Sequence, residues 1–305
     1  MHLASRVTIA FAVSCIGCGA RVSPSPVAAP VPELYGAGVF STDAWDFFMA
    51  WSPDERDVFF CQADTAFSQF RILETRRQPD GQWSTPVVPR FAVVGSNADP
   101  HIASDGRRVF FISNRPLASD SGIAARRAYD VWYADRLGDG SWSDATHLEG
   151  PVNRIRSTKW SPSVAANGNL YVGTVAPGGR GGNDIWLSRL VDGVYQPLEN
   201  LGDSINTPRG EIEPWIAPDE SYLIFSGAAR PDSIGGYDLY IAERGNGAWS
   251  RARPLPRPIN SDAPDFNPSV SPDGVWLYFS STRKNGLGDI YRVRLDLLRR
   301  AEASR

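Results

Sequence analysis

Ten positions in this sequence combine residue types able to do chemistry with a regular spacing. They are found by counting back eight and six residues from five turn-forming residues, Asp54, Asp105, Asn167, Asp219 and Asp273. The minus-eight set is Asp46, Asn97, Lys159, Glu211 and Asp265, and the minus-six set is Phe48, Asp99, Ser161, Glu213 and Asn267. Gathered at one rim, the acids Asp46, Asp99, Glu211, Glu213 and Asp265 would set up a negative field that attracts cationic or hydroxyl-rich partners. Two carboxylates facing across a gap could also act as acid and base, or acid and nucleophile, on a glycosidic bond. Asp99 with Glu211 or Glu213 is the set to test for that. Other chemistries are poorly supplied. The histidines His2, His101 and His147 have no metal-ligand spacing, so no metal is expected. No Gly-x-Ser-x-Gly elbow supports a serine nucleophile, and no cofactor is expected.

Five tandem repeats have to position these residues. Each has a tight turn between apolar strands: Trp51-Ser52-Pro53-Asp54, Ile102-Ala103-Ser104-Asp105-Gly106, Val164-Ala165-Ala166-Asn167-Gly168, Ile216-Ala217-Pro218-Asp219 and Val270-Ser271-Pro272-Asp273-Gly274. The turn residues are 51, 62, 52 and 54 apart, a spacing too regular for a sandwich and without the helical period of a solenoid. β-Branched and aromatic strands follow, such as Val109-Phe110-Phe111-Ile112 and Trp276-Leu277-Tyr278-Phe279. A third strand opens with Asp130, Asp184, Asp238 or Asp289, and a second hairpin turn follows at Asp80-Gly81, Asp139-Gly140, Asp192-Gly193 and Asn246-Gly247. An aromatic two residues later, Trp83, Trp142, Tyr195 or Trp249, is read as the start of a fourth strand.

Four antiparallel strands repeated around an axis make a propeller blade. The fold expected is all-β: a five-bladed β-propeller spanning 33–305 as a single domain. The fifth repeat lacks a fourth strand, and Leu34–Phe40 is expected to supply it by pairing with residues 290–294, which closes the ring and covers a free edge. The repeated turn and strand-opening acids read as structural caps, and the Trp column as packing between blades. Proline follows the minus-six residue at Pro100, Pro162, Pro214 and Pro268, which suits an innermost strand with one unpaired edge. The two columns are therefore expected to ring one mouth of the central channel as a solvated, ligand-binding rim made of Asp46, Asn97, Asp99, Lys159, Glu211, Glu213, Asp265 and Asn267.

The repeats resemble the TolB-type family of bacterial propellers. Ser271-Pro272-Asp273-Gly274, Phe279, Arg283, Gly288, Asp289, Ile290 and Tyr291 form the closest copy of its unit, and the resemblance covers 34–295. It implies an envelope scaffold that binds a protein, peptide or glycan. TolB itself has six blades and an extra N-terminal domain, so its particular role is not implied. Asn97-Ala98-Asp99-Pro100-His101-Ile102 resembles the Asp-Pro segment of five-bladed glycoside hydrolases, although theirs lies on the first blade and this one on the second. An enzyme of that kind is the alternative reading.

The first 18 residues read as a targeting segment. Arg6 precedes an apolar run from Val7 to Gly17, too short to span a bilayer and suited to a signal peptide. Cys15-Ile16-Gly17-Cys18 resembles a lipoprotein box with Cys18 as the acylated residue; Ala12-Val13-Ser14-Cys15 offers a second frame. Residues 19–32 read as a Pro-rich tether reaching on the order of 40 Å. The expectation is an outer-membrane lipoprotein facing the periplasm, or a secreted protein, with the lipid as its only membrane contact. Lys and Arg number 31 against 34 acids, interspersed and without a basic stripe, so nucleic acid is not an expected partner. Cys61, inside an apolar strand, reads as a small buried residue.

Overall fold

The computed structural model describes residues 30–117 and 128–296. The targeting segment, with Cys15 and Cys18, lies outside them, as do most of the tether and the chain beyond residue 296.

The described chain forms five antiparallel blades around an axis. The innermost strands are Trp45–Trp51, Asn97–Ile102, Lys159–Val164, Gly210–Ile216 and Asp265–Val270. Second strands lie beside them at Asp57–Ala63, Arg108–Ser113, Leu170–Thr174, Tyr222–Ala228 and Trp276–Ser281. Third strands follow at Phe70–Arg76, Asp130–Asp135, Asp184–Ser188, Tyr237–Gly245 and Asp289–Arg294. Innermost strands of consecutive blades touch all the way around, the first against the fifth included. Apolar side chains interleave between neighbouring blades: Phe59 of the first blade meets Phe91 and Trp142 of the second.

The outermost strands differ from expectation. The strand that pairs with the blade comes several residues after the aromatic, at Thr146–His147, Glu199–Asn200 and Arg253–Pro254, and as a single bridge from Glu74 to Val87 in the first blade. The aromatics instead sit on small hairpin tips, pairing Arg77 with Trp83, Arg136 with Trp142, Leu190 with Tyr195 and Arg244 with Trp249. There each arginine of the three tryptophan pairs lies over the indole ring at 5.2–5.8 Å, a cation–π contact that holds the tip.

The N-terminal segment supplies the outer strand of the fifth blade, over a shorter stretch than expected. Glu33 pairs with Arg292 and Leu34 with Tyr291, and the Tyr35 amide donates to the Ile290 carbonyl. Gly36, at φ +59°, then turns the chain, and Phe40 enters the core between the fifth and first blades against Phe60 and Trp83.

A latch repeats at every blade junction. The side chain of Ser41, Ser96, Asn153, Asn206 or Asn260 accepts from the amide and donates to the carbonyl of one third-strand residue. Those residues are Ile290, Phe70, Val131, Ile185 and Leu239. A short Ser or Asn side chain can present both roles at this spacing, so it replaces a strand partner just where the chain crosses to the next blade.

Candidate functional site

The two columns part company in the structure. All five minus-eight side chains are fully buried and are used inside their own blades. Asp46 accepts from the amide and hydroxyl of Thr42 and from Gln62. Glu211 accepts from the amide and hydroxyl of Thr207 and pairs with Arg230, and Asp265 does the same with Ser261 and Arg283. Asn97 accepts from Arg115 and donates to the loop carbonyls of Ala92, Val94 and Gly95. Each arginine also donates to the carbonyl of Phe91, Ile205 or Ile259 in the loop leading into its blade.

Lys159 does the arginine's job in the third blade, from the opposite side. Its ammonium donates to the carbonyls of Ile155 and Ser157 and lies 3.5 Å from Asp130. Asp46, Asn97, Lys159, Glu211 and Asp265 therefore correct the expectation of a solvated rim: they are anchors for the loops that enter each blade. Burial raises the carboxyl pKa of Asp46 and of Glu211, against the hydrogen bonds that lower it. A buried carboxylate needs donors this dense to exist at all.

The minus-six residues occupy a different setting. Phe48, Asp99, Ser161, Glu213 and Asn267 all have φ between 45° and 59°, the left-handed region that non-glycine residues seldom enter. Each sits where its innermost strand loses register with the second strand. A bulge of this kind re-aims a side chain, and the proline that follows in four blades has no amide to lose from the ladder. The five form a ring about the axis. The Ser161 amide donates to Asp99 Oδ2 at 2.9 Å, the Asn267 amide to Glu213 Oε2 at 2.9 Å, and the Phe48 amide to Ser280 Oγ at 3.1 Å. Ser226 Oγ also donates to Glu213 at 2.6 Å.

Asp99 and Glu213 come from the second and fourth blades, which are not neighbours, yet the charge of Asp99 acts on Glu213. At the same ring position of non-neighbouring blades, they lie on opposite sides of the axis. Burial pushes Asp99 up to about 6. Burial, reinforced by Asp99, pushes Glu213 up to about 7. Glu213 keeps partial exposure, but the water it meets is confined among five blades, so desolvation still dominates.

Next to the ring along the same strands lies a cavity of about 250 Å3. All five blades line it, through Phe48, Trp51, Pro100, His101, Val164, Trp215, Val270 and others. Ser269 Oγ, on the same lining, is buried without a hydrogen-bond partner. His101 Nε2 bonds to the Val164 carbonyl, and burial lowers its pKa to about 4, so it is neutral at pH 7. Sequence reasoning missed the cavity. Its walls are ordinary strand residues, and only the minus-four column of Ala50, His101, Ser163, Trp215 and Ser269 hints at it. Among the described residues no group of three or more His, Cys, Asp and Glu is placed to hold a metal.

This fold and ring define a five-bladed β-propeller with a polar axial site. No protein-family model matches the sequence, and no curated protein matches it. Solved structures do. A glycosyl hydrolase from Bacteroides ovatus superposes with a TM-score of 0.54 at 11% identity, over 89% of this chain and 92% of that one. An α-L-arabinofuranosidase from Lactobacillus brevis gives 0.52 at 10%, over 84% and 92%. TolB from Acinetobacter baumannii gives 0.48 at 13%, over 83% of this chain, which spans 55% of TolB. At these identities the likeness to the first two is one of fold alone.

Proposed function

We propose that this protein is a lipid-anchored envelope module that binds a partner through its axial channel. The observation that carries the reading is the ring of Asp99, Ser161, Glu213 and Asn267 beside an apolar cavity that all five blades build. At about 250 Å3 the cavity falls below the roughly 300–1,000 Å3 of ordinary small-molecule sites. It suits one side chain or one small head group better than an oligosaccharide, and so a peptide or protein partner better than a glycan. Peptide and oligosaccharide arrays test this. Ligands held by the wild type should bind at least tenfold more weakly to Trp215→Ala and to Asp99→Asn, both checked for unchanged melting. Undiminished binding by both variants would place recognition elsewhere.

The hydrolase reading keeps one specific support. Burial raises both carboxyls, Asp99 to about 6 and Glu213 to about 7, into the range where a general acid can hold its proton near neutral pH. Against it, one oxygen of each carboxylate already accepts a backbone amide. The expected result with aryl glycosides is no turnover. Hydrolysis that disappears in Asp99→Asn would make this chain an enzyme.

Anchoring rests on the sequence of the first 18 residues and on Gly19, which is not the Asp associated with inner-membrane retention in enteric-type sorting. Cys18→Ala, with Cys15 also replaced, should move the protein from the outer-membrane to the soluble fraction. Continued membrane association of that variant would sink the lipoprotein reading.

A further inference from the structure

Most buried charges are used inside their own blades, whereas Asp99 and the partly exposed Glu213 sit on the axial ring. Arg115, Arg230 and Arg283 are engaged with Asn97, Glu211 and Asp265, and Lys159 is turned to loop carbonyls and Asp130. Among the described residues, Asp99 acts on Glu213, Cys61 and Tyr129, and Glu213 acts on Tyr237. None of these supplies positive charge. A second observation lies in the same ring. Ser161 Oγ is fully buried, near enough to the Asp99 carboxylate to lower its pKa but without a hydrogen bond of full geometry. The ring thus gathers two carboxylates and a buried hydroxyl around the axis.

We propose that this ring seats a single positively charged nitrogen, an ammonium or a guanidinium, between Asp99 and Glu213. A cation there supplies a counter-charge that none of the described residues gives, and Ser161 Oγ can accept one of its N–H bonds. The adjoining cavity takes the apolar carbons that carry the nitrogen: Phe48 belongs to both the ring and the cavity lining, and His101, Trp215 and Ser269 of the lining follow ring residues two positions on. The source is either a free organic amine or a Lys or Arg side chain of a partner. The inference rests on the reading of the channel as a binding site and narrows it to cations.

The test is calorimetric titration of the full-length protein with n-butylammonium, with ethylguanidinium, and with a capped Gly-Lys-Gly peptide beside its norleucine counterpart. Saturable one-to-one binding of any of the three cationic probes is expected. It should be at least tenfold tighter at pH 8 than at pH 5, because both carboxyls are protonated at the lower pH and ionised at the higher. Glu213→Gln and Asp99→Asn should each weaken it tenfold or more, with melting temperatures showing that both variants fold. Binding of the small amines assigns the site to free cations, and binding of the lysine peptide alone assigns it to a partner side chain; either supports the inference. Equal affinity for the norleucine peptide overturns the cationic reading and leaves the channel site standing. No binding of any cationic probe overturns it too, as does binding that neither variant weakens. Loss of array ligands in Trp215→Ala without any cation effect would separate failure of this inference from failure of the channel reading itself.

Discussion

Replacing Phe40 by alanine should destabilise the propeller by about 3–5 kcal/mol and lower its Tm by on the order of 10 °C. The side chain is fully buried and meets Phe60 and Trp83 edge-on at 5.2 Å and Tyr35 stacked at 5.5 Å. It plugs the one junction where the ring is closed by residues far apart in sequence. The neighbouring Ser41 latch bonds Ile290 across 249 positions. Gly36 is needed beside it, because a Cβ there would fall 2.3 Å from Phe40 Cδ2. Deletion of 33–41 should cost still more, since it also uncovers the third strand of the fifth blade. Deletion of 19–29, which precedes the first paired residue, should leave the Tm unchanged. Differential scanning calorimetry of the three proteins decides the matter: equal Tm values would mean that the N-terminal strand does not hold the ring shut.

Glu211→Gln and Glu213→Gln should move stability in opposite directions, although the two residues are neighbours but one on a single strand. Glu211 is fully buried beside Arg230, which is itself buried, at 3.3 Å. Burial raises its pKa despite that pairing, so the pair need not be better than an apolar one. Removing one member is another matter. It leaves the buried guanidinium only the half-exposed Asp232, 3.9 Å away, and turns an amide donor toward the Thr207 N–H, at a cost of about 3–5 kcal/mol. Among the described residues no cation is paired with Glu213, and its carboxyl is pushed up to about 7. The native state then holds a proton that the unfolded chain releases near pH 4.5, so this group's contribution falls as pH rises through 7. Glu213→Gln removes that loss. The variant should match the wild type at pH 5 and exceed it by on the order of 2 kcal/mol at pH 8. His101, with its lowered pKa, tilts both proteins alike and cancels in the difference. Urea unfolding at the two pH values measures it. A Glu213→Gln variant less stable than wild type at pH 8 would refute a desolvated carboxylate at this position.

The blades were legible in the sequence because their signals are local. A Ser-Pro-Asp turn or an Asp-Gly hairpin needs only its own few residues to set φ, and five copies at near-constant spacing leave little choice of architecture. Asp54, Asp105, Asp219 and Asp273 each cap their own turn, accepting from an amide two residues on. Closure was legible too, because a missing fourth strand at one end matched a spare one at the other. Ser41 and Asn206, each 13 residues before its turn acid, were two of the five latches, and the equal offset of Asn260 was the signal for a third.

The site was only half legible. The spacing identified both polar columns but could not separate them, since residues two apart on a regular strand face the same way. The bulge at every minus-six position breaks that rule. It turns Asp99, Ser161, Glu213 and Asn267 to the axis and leaves Asp46, Asn97, Lys159, Glu211 and Asp265 inside the blades, where arginines from the ends of the second strands reach three of them. Neither the bulge nor the arginine partners can be read from a count of residues. Both depend on five blades closing around one axis, because only closure sets Asp99 and Glu213 on opposite sides of the channel and removes the water that would otherwise solvate them.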